Sequence, residues 1–479
     1  MSNQLDMVIC IIPKVEPLAP TVGPALLKSI ILNAGFTCNV LDLNISLFNE
    51  MKKNNDTVRF LSKDYFFTTN LLKEDTTDFD KFYIDYEYLF LEWIETLRIE
   101  NPKYIGLSLL TYYSLAVATK LSQLIREHLP SVKIVWGGPA VNEGTLLYKD
   151  FNIIDYYIAG DAEKSIIQLL KNNTDSPGIN LIPKIQMLSL NDNPIPNYDD
   201  IHWEDYTHEP HKTVYVTGSR GCVKNCNFCN VNDLWPKFVF RSALDVVKEI
   251  VYLQKKYDRQ EIRFTDSLIN GSLPAYRELL QELNKLENPI KWHSQWIVRS
   301  KKQAPEEEFQ LLKSSGIAIL SIGIESFSEK IRFHMNKKFT DEDMWWCFEM
   351  LHKYKIRYSM MMITGYPIET EEDHKNTLAS LQKMHSLGYL DDVDGHRMVY
   401  ISFGSILTLE KGTELWKSVE NEITNYQNDI IWDYNDNTFP VRVRRLREIY
   451  ELIVKLTGRA EFYLGKRLEE WEDLVKKYY

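Results

Sequence analysis

The chain has 479 residues, 44% hydrophobic and 26% charged, enough for two or three domains with ample core. Its 56 basic and 67 acidic residues leave a net charge of −11 with no prominent Lys/Arg run, so a nucleic-acid partner is not expected. No apolar stretch reaches the roughly 20 residues of a membrane span, MSNQLDMVICIIPKVEP lacks the basic start and cleavage site of a signal peptide, and six cysteines in so long a chain are no disulfide framework, so a reducing cytoplasm is the expected setting.

Residues 1–190 alternate strand and helix patterns. MVICIIP (7–13) is an apolar run stopped by proline, VGPALLKSIILNAG (22–35) has helical spacing and a glycine stop, and CNVLDLN (38–44) reads as a strand. Residues 50–100, aromatic and charged, read as a helical insertion. Then come YIGLSLLT (104–111), the helical LAVATKLSQLIREHL (115–129), VKIVWGG (132–138), DYYIAGD (155–161) and the helical EKSIIQLLK (163–171). Apolar strands alternating with helices predict a Rossmann-like, doubly wound parallel sheet. Ligands of such sheets sit at the strand carboxyl ends. Those ends carry Ser108, Leu109 and Thr111, then Gly137, Gly138 and Pro139, then Gly160. Cys10 and Cys38, in the apolar runs, read as buried reduced thiols.

Residues 172–210 are rich in Asn, Asp and Pro, and the stretch 191–210 is expected to be the linker between domains. A second alternating series fills residues 211–404. Its strands are KTVYVTG (212–218), IRFTDS (262–267), KWHSQWIV (291–298), IAILSIGIE (317–325), IRYSMMMITG (356–365) and RMVYISFG (397–404). These six units predict a partial (β/α)6 TIM-type barrel with chemistry at the strand ends. Residues 405–479 read as a helical C-terminal domain.

Three of the six cysteines, Cys222, Cys226 and Cys229, fall in one loop directly after the first strand of this series, with spacing C-x3-C-x2-C. A structural zinc site is the plain alternative, but zinc wants four ligands, and His208 and His211 both precede the strand. Three thiolates with no local fourth ligand suit a [4Fe–4S] cluster with one open iron.

Cys222, Cys226, Phe228 and Cys229 match C-x3-C-x-aromatic-C, and the sequence here resembles the radical S-adenosylmethionine (radical SAM) superfamily. The resemblance implies an open iron chelated by S-adenosylmethionine, a 5′-deoxyadenosyl radical, and an external electron donor such as flavodoxin or ferredoxin. It also implies ligand contacts at strand ends. Asp266 and Ser267 end the second strand, Glu325 and Ser326 the fourth, and Gly365, Tyr366 and Pro367 open a G-x-P-x-E-T segment at the fifth. Gln295 and Arg299 end the third strand, and a guanidinium there can pair the ligand carboxylate.

A doubly wound domain ahead of such a barrel resembles the cobalamin-binding members of that superfamily. The parts that match are PKVEPLAPTVG (13–23), LSLLTYYS (107–114), VWGGPAVN (135–142) and IAGDAE (158–163). The resemblance assigns Ser108, Leu109, Thr111, Tyr112, Gly137, Gly138, Pro139, Asn142 and Gly160 to cobalamin. The family's D-x-H-x-x-G motif is missing, and His128 is the only histidine in residues 1–190. Cobalamin is therefore expected without a protein imidazole. Cys347 reads as a buried small residue on an amphipathic helix, with hydrogen-atom donation to a substrate radical as the sharper alternative.

The expected function is radical SAM catalysis, with cobalamin-dependent methyl transfer to an unactivated carbon or phosphorus centre of a small-molecule or peptide substrate. The alternatives are a cobalamin-independent epimerase, dehydratase or rearrangement enzyme, and a non-catalytic cobalamin or Fe–S sensor.

Overall fold

Continuous apolar strands need cover on both faces, and the computed structural model supplies it in two parallel sheets. It describes residues 4–57, 60, 77–141, 153–180, 186–206, 209–393, 395–402, 406–459 and 468–479, so Asn142 lies outside the described residues. The chain divides into two compact units, Met1–Val216 with Tyr252–Gln260, and Thr217–Val251 with Glu261–Tyr479.

The first sheet holds β1 (Leu5–Ile11), β2 (Cys38–Asp42), β3 (Pro102–Ser108), β4 (Lys133–Gly137) and β5 (Tyr156–Ile158). All pair parallel, in the order β2-β1-β3-β4-β5. The Rossmann-like reading thus takes the 2-1-3-4-5 form of the doubly wound sheet, whose direction of winding reverses between β1 and β3. Ile9, Cys10, Ile105, Leu107, Ile134 and Trp136 are buried along these strands, and the Trp136 indole N–H donates to Ser122 Oγ at 3.0 Å. Of the insertion expected over residues 50–100, the helix Thr77–Glu100 is described, and a helix Leu43–Lys53 that starts directly after β2 runs into its beginning.

The stretch expected as a linker belongs to the first unit. Asp200 pairs with the buried Lys28 at 2.5 Å and accepts the Val40 amide at 2.8 Å. The Ser29 hydroxyl donates to the Ile195 carbonyl at 2.7 Å. Its Asn and Asp residues therefore satisfy polar groups along an edge of the first sheet as well as breaking regular structure.

The second sheet runs in sequence order through β6 (Thr213–Val216), β7 (Glu261–Phe264), β8 (Lys291–Trp296), β9 (Ile317–Glu325), β10 (Tyr358–Met362) and β11 (Val399–Ser402). From β7 to β11 the neighbours pair parallel. Side chains alternate as a strand dictates. Ile262, Phe264, Trp292, Trp296, Leu320, Ile322, Tyr358 and Met360 are buried, while Arg263, His293, Gln295, Ser321, Ser359 and Met361 on the alternate positions are less so. One face carries the helices, and the other is a largely polar barrel interior.

The C-terminal region shares the second unit. It adds a short antiparallel pair, Ile423–Thr424 with Asp433–Tyr434, and the helices Phe439–Thr457 and Leu468–Tyr478. The first of these helices braces the loop after β10. Arg445 donates to the Glu369 carbonyl at 3.1 Å and to its carboxylate at 3.2 Å. Among the described residues no helix is long and apolar enough to cross a membrane.

Candidate active site

The cysteine loop starts from a constrained turn. Ser219–Arg220 pairs antiparallel with Val239–Phe240 and closes the segment between them. Gly221 has φ +84°, and a Cβ there would lie 2.6 Å from the Lys237 carbonyl oxygen, so only glycine fits ahead of Cys222. Cys222 and Cys226 are half-buried, Cys229 is exposed, and all three are free thiols. The Lys224 amide donates to Cys222 Sγ at 3.4 Å, and the Cys229 amide to the Cys226 carbonyl at 3.1 Å. Phe228, the aromatic residue of the spacing, packs against a core cluster that contains Met335, Tyr366, Leu415 and Trp432.

Cations surround these thiols. Lys337 is buried, pairs with Glu325 at 2.7 Å and donates to the Gly323 carbonyl at 3.1 Å. Its charge acts on both Cys226 and Cys229. Arg299 is anchored by the Asn270 and Gly271 carbonyls, and its charge acts on Cys222. Burial, helped by Arg299, pulls the Lys224 pKa down. Burial pushes the Cys226 thiol up to about 11 and raises Cys229, against the pull of Lys337. Without metal Cys226 and Cys229 therefore keep their protons, and a bound metal would displace them. Three soft ligands in one loop, ringed by Lys224, Arg299 and Lys337, fit an anionic, thiolate-held iron–sulfur cluster.

The other expected residues divide. Glu325 sits at the end of β9 with φ +64°, beside a register shift between Gly323 and Glu325. A left-handed glutamate is strained backbone of the kind that collects at functional sites. Gln295 is exposed and Ser267 half-buried at their strand ends. Asp266 is turned inward. Its carboxylate accepts the Gly218 amide at 2.8 Å and the Ser219 hydroxyl at 2.5 Å, and burial pushes its pKa up to about 6 against those bonds. Ser326 is buried, with Oγ accepting the Ser328 amide at 3.1 Å. Gly365, Tyr366 and Pro367 form a braced turn. The Gly365 amide donates to Glu369 at 2.8 Å, and the Asn437 side chain donates to the Tyr366 and Pro367 carbonyls at 2.7 and 3.3 Å.

Cys347 is 1% exposed, on the core face of the helix Asp341–Lys353, beside Phe348 and the outward-facing Tyr358. Burial raises its thiol pKa. It lies behind the sheet, with the helix layer, and the buried small-residue reading accounts for it.

In the first unit the described cobalamin candidates lie at and after the carboxyl ends of β3, β4 and β5. The Leu109 amide donates to the Gly137 carbonyl at 2.8 Å, and the Ala140 amide to the Leu109 carbonyl at 3.1 Å. Gly138 has φ +106°, and a Cβ there would sit 2.4 Å from the Leu109 carbonyl oxygen. Thr111 Oγ1 donates to the Lys14 carbonyl at 3.3 Å, joining the loops after β3 and β1. Leu110 and Tyr112 stand 39% and 52% exposed at this edge, an apolar surface that fits a large, partly apolar ligand. His128 ends the helix Leu115–His128, which runs back toward the opposite edge where β4 begins.

Residues 216–381 match the family model described as the Radical SAM superfamily. The matched residues form a radical SAM domain. The chain is 24% identical over 336 residues to an uncharacterized methyltransferase of Pyrococcus horikoshii, covering 66% of this chain and 69% of that one. It is also 24% identical over 260 residues to a tRNA-2-methylthio-N(6)-dimethylallyladenosine synthase of Ehrlichia ruminantium, and there it spans 57% of the relative's length. Two solved structures share its fold. The cobalamin-dependent S-adenosylmethionine radical enzyme OxsB, with aqua-cobalamin and S-adenosylmethionine bound, superposes with TM-score 0.68 and 16% identity over 99% of this chain and 71% of its own. The radical S-adenosylmethionine methyltransferase TsrM from Kitasatospora setae, with cobalamin and a [4Fe–4S] cluster bound, gives TM-score 0.58 and 17% identity over 80% and 73%. At these identities the likeness is one of fold.

Lys337, His334 and Asn437 were not legible as site residues in the sequence. They follow no motif, and the left-handed φ of Asn336 and Lys338, which flank Lys337, shows only in the fold.

Proposed function

We propose that this radical SAM enzyme is a cobalamin-dependent methyltransferase acting on an unactivated carbon or phosphorus centre. The observation that carries the reading is the loop Cys222–Cys229, with three free thiols, a ring of cations and no other Cys or His between residues 218 and 240. A cluster with only three protein thiolates keeps one iron open to a ligand. When bound, the cluster supplies the electron that breaks a C–S bond of S-adenosylmethionine.

The chain's own residues do the rest. Cys222, Cys226 and Cys229 would hold the cluster. Glu325 and Lys337 present opposite charges to the amino and carboxylate ends of a bound amino-acid moiety, and Arg299 adds a second cation for the carboxylate. The backbone of Gly365–Pro367, held still by Glu369 and Asn437, would border the nucleoside. Asp266 acts through the strand ends, fixing Gly218 and Ser219 just ahead of the cysteines. Cobalamin, when bound, carries the methyl group, and the Ser108–Thr111, Gly137–Pro139 and Gly160 loops would hold it, with no imidazole offered from residues 1–190 outside His128.

Anaerobic incubation with S-adenosylmethionine, reductant and cobalamin, assayed for 5′-deoxyadenosine and S-adenosylhomocysteine, tests the proposal. Both products are expected. 5′-Deoxyadenosine alone would place the chain among the cobalamin-independent epimerases, dehydratases or rearrangement enzymes, and neither product would favour a sensor.

A further inference from the structure

Asn227 stands between two of the three cysteines, and nearly every polar group it owns is engaged by distant parts of the second unit. Its amide donates to the Met335 carbonyl at 3.2 Å, and its carbonyl accepts the Leu415 amide at 2.7 Å. Its side-chain Nδ2 donates to the His334 carbonyl at 3.0 Å and to the Tyr366 hydroxyl at 2.9 Å. That hydroxyl lies 2.8 Å from His334 Nδ1, and 139 residues of sequence separate it from Asn227. Two residues before Asn227, the Asn225 carbonyl accepts Asn336 Nδ2 at 2.6 Å.

The Tyr366 ring is buried in the apolar cluster against which Phe228 packs. Tyr366 itself follows Gly365 in the turn after β10. One side chain therefore ties that turn to the tip of the cysteine loop, and an imidazole completes the chain of hydrogen bonds.

We infer that Asn227, Tyr366 and His334 form a positioning relay that fixes the loop between Cys226 and Cys229, and so sets the potential at which a cluster held there accepts an electron. A cluster's potential depends on hydrogen bonding and solvent exposure around its sulfurs. Both change if the loop tip is released, because Cys229 is already exposed and the relay holds Asn227, one of the two residues between it and Cys226. The relay acts through the loop and touches no reacting atom. It also links the turn at Gly365–Pro367 to the cluster, so occupancy of that turn would reach the potential through Tyr366.

The inference rests on the cluster reading, and the test separates the two. Wild type, Tyr366→Phe, Asn227→Ala, His334→Asn and the control Tyr358→Phe are reconstituted anaerobically. Iron content, circular dichroism, the paramagnetic resonance of the reduced cluster and its midpoint potential are measured on each. Tyr366→Phe removes one oxygen from a ring that stays packed. It is expected to keep its iron and to shift the reduction equilibrium about tenfold, ~59 mV for one electron, with altered resonance g values. Asn227→Ala should shift further. His334→Asn, which keeps an acceptor near the place of Nδ1, should lie closer to wild type. Tyr358→Phe, an equally buried tyrosine on the helix-covered face, should match wild type. Wild-type potentials and g values in Tyr366→Phe and Asn227→Ala would overturn the relay. So would iron loss in Tyr366→Phe matched by equal loss in Tyr358→Phe. Wild-type protein that holds no iron would instead overturn the cluster reading.

Discussion

Glu325 and Lys337 form a buried ion pair, with Oε1 2.7 Å from Nζ, at the end of the strand that closes on the cysteine loop. Burial pulls the Lys337 pKa down, but the Glu325 carboxylate and the nearby thiols hold it above its ordinary value. Removing one partner leaves an uncompensated buried charge, which costs about 3–5 kcal/mol, whereas replacing both by apolar residues is often close to neutral. Lys337→Met or Glu325→Leu should therefore lower the urea-unfolding free energy of the apoprotein by that amount, and the double variant should recover most of it. Both single variants should also weaken S-adenosylmethionine binding to the reconstituted protein, by roughly 10-fold or more for a lost charge-assisted hydrogen bond. Unchanged affinity in isothermal titration would move the ligand away from this pair.

Cys222, Cys226 and Cys229 are expected to bind all of the chain's iron. Cys10, Cys38 and Cys347 are buried thiols raised by desolvation and cannot assemble a second site. The triple alanine variant should reconstitute with no iron and release no 5′-deoxyadenosine. Iron retained at the wild-type level would show that the metal sits elsewhere.

Gly221→Ala should separate loop geometry from ligand chemistry. The left-handed φ costs an L-residue about 1–2 kcal/mol, and the new Cβ would meet the Lys237 carbonyl oxygen, which is backbone and cannot step aside cheaply. The cysteines all remain, yet iron uptake should fall while far-ultraviolet circular dichroism stays as in wild type. Full iron uptake would mean that the turn has another way to close.

What the sequence exposes is what local spacing encodes. Cys222, Cys226 and Cys229 lie within one loop, and the six strands of the second sheet are apolar runs whose carboxyl ends can be counted off directly. Lys337 and Tyr366 are different. Each meets the cysteine loop through the tertiary fold, and no short-range pattern says that a lysine after Asn336 will be buried or that a phenol will reach Asn227. Asp266 shows the converse. Its position at a strand end is legible, but the direction of its carboxylate, back onto Gly218 and Ser219, is set by packing. The Asn- and Asp-rich stretch before the barrel reads as a linker because composition cannot reveal that Asp200 meets Lys28, far back in the chain.

Acid should loosen the second unit through Asp373. This residue and Thr370 form the capping box of the helix Glu371–Ser386. Burial works against its charge, but hydrogen bonds from the Thr370 hydroxyl and amide, from Ser328 and from Lys330 hold its pKa down at about 2, against an ordinary 3.8. Because the folded value is depressed, the unfolded chain takes the proton first. The stabilisation is present in full above 3.8 and is lost as pH falls through about 2. Asp373→Asn should cost about 1 kcal/mol at neutral pH, the size of a lost cap, and should flatten this part of the acid profile. An acid profile in Asp373→Asn parallel to wild type would place the titrating group elsewhere.

The N-terminal unit makes the sharpest prediction about cobalt. Its sheet ends in loops that place the backbone close, because Gly138 adopts φ +106° against the Leu109 carbonyl and no side chain can intrude there. Its exposed apolar residues at that edge are Leu110 and Tyr112, which offer surface and no metal-binding nitrogen. His128 ends its helix beside Glu127, at the edge where β4 begins, away from those loops. A corrin seated on Ser108–Thr111 and Gly137–Pro139 would therefore meet carbonyls, hydroxyls and apolar side chains and no protein imidazole. Cobalamin reconstituted into the protein and reduced to Co(II) should give a paramagnetic resonance spectrum that His128→Ala leaves unchanged. Triplets that disappear in His128→Ala would overturn the assignment. Failure to retain cobalamin at all under anaerobic reconstitution would move the chain from methyl transfer to the cobalamin-independent radical reactions.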